Sequence, residues 1–174
     1  MKKLFTLFAL SGLLFTSLTA CAQQDNSKKP SPPANVTETI SSGATITINY
    51  SSPSLKGRTI GVDVEPKKGQ VWRAGANDAT TFEVSKDVSI EGKTLPAGKY
   101  SFFTLDNGDS YTIIFNKTAK QWGAFSYKQA DDALRVNVKP GKSAESVEKL
   151  TYTISKEGVV TLSWGTLAVA FSVK

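Results

Sequence analysis

The chain has 174 residues, with 21 Lys and Arg against 15 Asp and Glu, one Cys and no His. With no imidazole and a single thiol, several chemistries are excluded by composition: histidine general-base catalysis, Ser–His and Cys–His nucleophiles, zinc sites built on His or Cys, and any disulfide within the chain. The positive charges are scattered, often beside acids as in Lys86-Asp87 and Lys156-Glu157, with no arginine-rich stripe, so nucleic acid is not an expected partner.

The chain opens on Lys2-Lys3, an apolar run from Leu4 to Leu18, and small residues before the lone cysteine, Leu18-Thr19-Ala20-Cys21. That is the layout of a cleaved export signal. It resembles the lipobox of bacterial lipoproteins, which implies cleavage between Ala20 and Cys21, a diacylglycerol on the Cys21 sulfur and an acylated N-terminus. A spanning helix fits less well, because Gln23-Gln24-Asp25-Asn26 ends the run short of the length a bilayer needs. Residues 1–20 are therefore expected to be a signal peptide. Without Lys2 and Lys3 the mature side chains carry 19 basic against 15 acidic groups, a mild +4. Ala22 in place of an Asp resembles the outer-membrane default of lipoprotein sorting, so the expected address is the outer membrane, facing the periplasm, with the membrane reached through the lipid on Cys21.

Residues 21–39 are expected to be the acylated cysteine and a flexible tether, rich in Gln, Asn, Ser, Lys and Pro and containing Pro30-Ser31-Pro32-Pro33. A flexible chain of this length spans on the order of 25 Å, enough to hold a domain clear of the headgroups. Residues 40–174 are expected to form one domain. From there, apolar residues recur at every second position, the pattern of half-buried strands. Ile46, Ile48 and Tyr50 alternate with polar residues, as do Val62 and Val64, Phe82 and Val84, and Val88 and Ile90 before a Glu91-Gly92 turn. Leu95-Pro96-Ala97-Gly98 places Pro and Gly where a type I turn wants them.

The densest stretch runs from Tyr100 to Phe115 around Asp106-Asn107-Gly108-Asp109, and an Asn-Gly pair between apolar runs predicts a hairpin. Both of its faces carry apolar residues, so it is expected at the centre of the sheet. Leu134 to Val138, Leu150 to Ile154, Val160 to Trp164 and Leu167 to Val173 supply the remaining strands, with Gly165-Thr166 separating the last two. Lys128 to Ala133 and Ser143 to Glu148 are the only candidate helices. About nine or ten short strands with turns between them predict an all-β fold, an antiparallel β-sandwich or partly open barrel.

Two stretches break the alternation, and such breaks are where function concentrates. Val71 to Thr81 holds Trp72, Arg73 and Asn77 among small residues, and Gln121 to Tyr127 holds Trp122 and Tyr127. Aromatic faces beside guanidinium and amide donors suit a sugar ring, a carboxylate or a peptide backbone. Trp72, Arg73, Asn77, Trp122 and Tyr127 are thus the candidate ligand-binding residues, expected to meet in space with Arg73 held by a carboxylate or carbonyl. A structural reading stands beside this: the tryptophans plug an open end of the sandwich, Arg73 pairs with Asp78 or Asp131, and Asn77 caps its own turn.

Tyr50-Ser51-Ser52-Pro53-Ser54-Leu55-Lys56-Gly57-Arg58, the run from Val71 to Phe82, Leu95 to Leu105, and Ile113 to Val136 are similar to the family called domain of unknown function 2911, common in exported proteins of Bacteroidota. Its densest motif is Trp72-Arg73 followed by Gly75, Asn77 and Thr80. The resemblance covers about residues 40–174 and implies one β-rich exported domain with no established activity. Ile60 to Gly69 departs from the family pattern, lacking the Phe-Gly and Tyr-Gly pairs that members often carry there.

No catalytic residue, metal or cofactor is expected. Adjacent acids such as Asp131-Asp132, or Asp106 with Asp109, sit on turns, and four residues of a hairpin turn lack the ligands of a calcium loop. The expected function is a non-catalytic binding or assembly module on a cell-envelope lipoprotein, taking a glycan or peptide. The alternative is a His-independent enzyme acting on either.

Overall fold

The structure, a computed structural model, describes residues 30–174. The signal peptide, Cys21 and the tether up to residue 29 lie outside the described residues. Among the described residues the fold is all-β, with eleven strands, antiparallel pairing and no closed barrel, as a sandwich requires.

The main sheet takes the order β1-β2-β4-β7-β8-β9, where β1 is Pro33–Thr39, β2 Thr45–Ser51, β4 Thr80–Val84, β7 Gly98–Asp106, β8 Tyr111–Asn116 and β9 Asp132–Val138. A short strand β3, Val71–Trp72, pairs with the far end of β7. β5, Val88–Ile90, and β6, Lys93–Leu95, form a small hairpin. The second layer is one long hairpin of β10, Gly141–Ile154, and β11, Val159–Ser172. It closes over the main sheet through Phe171, whose ring lies 5.8 Å from Phe102 and 6.0 Å from both Phe82 and Phe115.

The β7–β8 hairpin lies within the sheet as its sequence requires, between β4 and β9. Phe102 and Phe115 are buried in the principal core, while Phe103 and Ile114 on the opposite face pack with Ala79 in a second, smaller cluster. Period-two alternation sends neighbouring residues to opposite faces, so this hairpin is buried twice only because something covers the outer face. The cover is the segment after β8, through Ala124 and Tyr127, with Val71 of β3, beside β7 in the same sheet, completing the cluster.

Several sequence expectations are corrected. The tether does not reach Thr39, because Pro33–Thr39 pairs in register with Ser51–Thr45 as an edge strand. Its alternating Thr and Asn residues lack a strong apolar face, which is affordable at an edge, where the threonines pair across strands through Thr37 to Thr47 and Thr39 to Thr45 hydroxyls. The Val62 and Val64 alternation is a turn: the Asp63 carboxylate accepts the Thr59 N–H at 2.8 Å, and Val62 is exposed. Ser143 to Glu148 is strand, not helix, held extended by the Val147–Gly165 pair and by the Leu55 N–H donating to the Glu148 carbonyl at 2.9 Å, which outweigh local preference. Lys128 to Ala133 contains only a 3-10 turn at Gln129–Asp131 before β9 begins. The strands expected on either side of Gly165-Thr166 are one fourteen-residue strand, and the pairing is irregular on both sides of the Val147–Gly165 pair, where β10 carries the extra residues.

Candidate functional site

β3 delivers Trp72 and Arg73 to the end of the sandwich, and the loop behind them is fixed by hydrogen bonds that explain the spacing of its residues. Thr80, the first residue of β4, donates its hydroxyl to the Ala74 carbonyl at 3.0 Å and its N–H to the Arg73 carbonyl at 3.2 Å. Tyr152 from the opposite layer donates to the same Ala74 carbonyl at 2.7 Å. The Trp72 indole N–H reaches the Gly75 carbonyl at 3.2 Å. Ala74 and Asn77 hold φ of 51° and 59°, a left-handed backbone that costs a non-glycine residue about 1–2 kcal/mol and persists only where surroundings impose it. Gly75 is required by closeness: a Cβ there would stand 2.8 Å from Thr80 Oγ1 and 3.2 Å from the Ser51 carbonyl. The Trp-Arg-x-Gly-x-Asn-x-x-Thr pattern is thus the description of one rigid loop.

The structure sorts the five candidate residues. Trp72 is buried and stacks on Trp164 with ring centroids 5.9 Å apart and planes 15° from parallel, so its bulk belongs to the core and one edge reaches the surface. Asn77 is exposed; its amide lies 3.4 Å from the Ser31 carbonyl, so it caps the chain entering β1 rather than its own turn. Trp122 is 61% exposed, on a backbone bridged to Asp78, with the Ala79 N–H donating to the Gln121 carbonyl at 3.0 Å. The two stretches are therefore neighbours.

Tyr127 is committed elsewhere. Its ring meets Phe103 edge-on at 5.1 Å, and its hydroxyl donates to Asp132 Oδ2 at 2.7 Å and accepts from Arg135 Nη1 at 2.9 Å. Burial first, and then the Asp132 carboxylate, push its phenol up to about 12. The single joint site expected for all five residues does not form; Trp72 and Tyr127 are structural.

Arg73 departs from expectation most informatively. No carboxylate or carbonyl holds it among the described residues, Asp78 and Asp131 included, and its Nε is buried without an acceptor. Its Nη1 lies over Gly123, where a Cβ would stand 2.9 Å away, and the Phe125 ring rests on the same spot at 3.1 Å. Gly123, with φ of 62°, is the residue that lets the two loops close on each other. The Arg73 Nη1 and the edge of the Phe125 ring thus share the floor that Gly123 leaves open.

Arg73 and Trp72 separate two adjoining cavities. One, of about 290 Å³, is lined by Arg58, Asp63, Glu65 and Lys67 as well as the pair themselves. The other, of about 420 Å³, is bounded by Glu65, Val71, Ala124 and Phe125. The Ile60 to Gly69 segment, which carries no aromatic residue, is therefore a wall of the groove. Arg58 is anchored by its Nε to the Leu55 carbonyl at 2.9 Å and by its Nη2 to the Ser54 carbonyl at 2.7 Å. Glu65 accepts the Lys67 N–H at 2.9 Å. None of these five charged groups lies within ion-pairing distance of an opposite charge among the described residues.

Sequence reading missed Arg58, Glu65, Lys67 and Phe125 as groove residues. A usable signal was present in the run of charges from Arg58 to Lys67 immediately before the Trp72-Arg73 pair.

Among curated proteins and among solved structures, nothing matches this chain. The model of a family described as a protein of unknown function (DUF2911) matches residues 31–173, taking in β1, the groove and both layers, and the chain belongs to that family.

Proposed function

We propose that the protein is a lipid-anchored component of the cell envelope whose domain is a non-catalytic binding module, with Arg73 as its central contact. One observation carries the reading: a buried Arg73 Nε with no acceptor among the described residues, in a loop otherwise dense with hydrogen bonds, between two open cavities. The terminal Nη groups of the same guanidinium, which no acceptor among the described residues takes up, are the donors a ligand in either cavity can meet. The carboxylates that line the groove with Arg73 support binding over a His-independent enzyme acting on glycan or peptide. Asp63 is exposed, Glu65 is half-buried, and each accepts a backbone N–H, so neither stands in the water-excluded setting that a general acid of hydrolysis uses.

The address rests on sequence: the lipobox-like Leu18-Thr19-Ala20-Cys21 supports acylation at Cys21, and Ala22 supports the outer membrane with the domain in the periplasm. Cys21→Ser should move the protein from the membrane to the soluble fraction, and retention in the membrane would end the lipoprotein reading. For the module, a thermal-shift screen against glycans, peptidoglycan fragments and peptides should give a ligand that raises the melting temperature by mass action. Arg73→Lys should abolish that rise without shifting the ligand-free melting temperature. A lowered ligand-free melting temperature would instead make Arg73 a structural plug.

A further inference from the structure

The groove has a chemistry more specific than its depth. Three cations, Arg58, Lys67 and Arg73, face two acids, Asp63 and Glu65, and the acids are already engaged by the Thr59 and Lys67 backbone N–H groups. The surplus is positive, and the least satisfied member is a guanidinium, whose planar fork fits a carboxylate with two parallel hydrogen bonds. Beside it stands an aromatic ring with no polar group of its own, Phe125, 83% exposed although it sits on Gly123 against Arg73. Its face is free to take a ligand's apolar surface. A ligand that satisfies both carries a carboxylate with an apolar face beside it.

Two kinds of molecule have that form: an acidic sugar, whose C–H face stacks on an aromatic ring, and a peptide ending in a carboxylate. A peptide ligand commonly adds a strand to an open sheet edge, drawing affinity from a run of unpaired backbone groups. The strand beside this groove, β3, is two residues long, too short to template one. The cavity that holds both Arg73 and Phe125, about 420 Å³, is at the small end of the range for compact ligands, the size of a sugar unit rather than a folded partner.

Resting on the binding reading above, we infer that the groove binds an acidic saccharide, with a sugar carboxylate on Arg73 and the sugar face on Phe125. Phe125→Ala is a clean probe, because the ring is exposed and its loss removes little packing. The test titrates the full-length protein, purified in mild detergent, with trigalacturonic acid, with the neutral galactose trimer and with trialanine, by calorimetry. The acidic trimer should bind. Phe125→Ala should weaken it about tenfold, as one lost stacking contact does, and Arg73→Gln should weaken it at least as much.

Equal binding of the neutral trimer would remove the carboxylate from the inference, and binding of trialanine alone would replace the sugar by a peptide; both overturn the ligand class and leave the binding module standing. Binding of the acidic trimer unchanged by either substitution would place it elsewhere on the protein and overturn the inference. No binding of any of the three overturns it as well. The module itself falls only on the separate observation that Arg73→Lys lowers ligand-free stability.

Discussion

Two arginines flank the segment after β8, and their surroundings are opposite. Arg135, on β9, donates to the Tyr127 hydroxyl at 2.9 Å and to Asp132 Oδ2 at 3.0 Å, and Asp132 in turn accepts from Asn116 Nδ2 at 2.9 Å. Arg73, at the end of β3, has an aromatic neighbour and a glycine floor but no acceptor among the described residues. One end of the Gln121 to Tyr127 segment is thus fastened by a closed polar network, and the other is left as a groove wall. A charge closed into a network stabilises the fold and has nothing to give a ligand, whereas an open one contributes little to stability and is available. Composition does not separate them, since both are arginines beside an aromatic residue; the difference is the carboxylate that β9 supplies to one and no strand supplies to the other.

The largest expected effects test the frame on which that contrast hangs. Phe102→Ala and Trp72→Ala each remove a buried ring and should cost about 3–5 kcal/mol in urea unfolding. A cost for Trp72→Ala under about 1 kcal/mol would mean its stacking on Trp164 is not structural and would return it to the ligand site.

Asp132→Ala should come next, at about 2–3 kcal/mol, because it strips acceptors from Tyr127, Asn116 and Arg135 together. A loss near zero would dissolve the contrast from the closed side.

Tyr127→Phe should cost about 1 kcal/mol, with a signature in pH. The folded state holds the phenolic proton more tightly than the unfolded chain, about 12 against an ordinary 10, so its stabilisation is complete below pH 10 and is lost as pH rises through about 12. The stability gap between wild type and Tyr127→Phe should therefore narrow above pH 10. A gap constant to pH 12 would show that Asp132 and burial do not hold that proton.

The strands were legible wherever one face is apolar. Ile46 and Ile48, Phe82 and Val84, and the Asn107-Gly108 hairpin all follow from period two and turn chemistry, because side chains of alternating strand positions meet different solvents. Legibility failed where a partner far in sequence decides the outcome. β1 is polar and exists because β2 offers it an edge, and Ser143 to Glu148 is extended because Val147 pairs with Gly165 and Glu148 accepts from Leu55. Val62 and Val64 alternate as a strand would, but one Asp63 carboxylate closes the chain into a turn.

The site was half legible for the same reason. Breaks in alternation marked the two loops and the structure brings their backbones together at Asp78 and Trp122, yet they do not show which side chains the fold consumes. Trp72 was consumed by Trp164 and Tyr127 by Asp132, while Phe125, never a candidate, was left in the open.

The smallest expected effect bears most directly on the account, because the claim is that Arg73 owes the fold nothing. Urea unfolding of Arg73→Lys without ligand should give a stability within about 0.5 kcal/mol of wild type, since no hydrogen bond from the guanidinium is lost and the flexible ammonium can turn to water. Measured in parallel, Arg135→Lys should lose about 1–2 kcal/mol with the bonds to Asp132 and Tyr127. Equal losses for the two variants would contradict the account, for Arg73 would then be as much a part of the scaffold as Arg135.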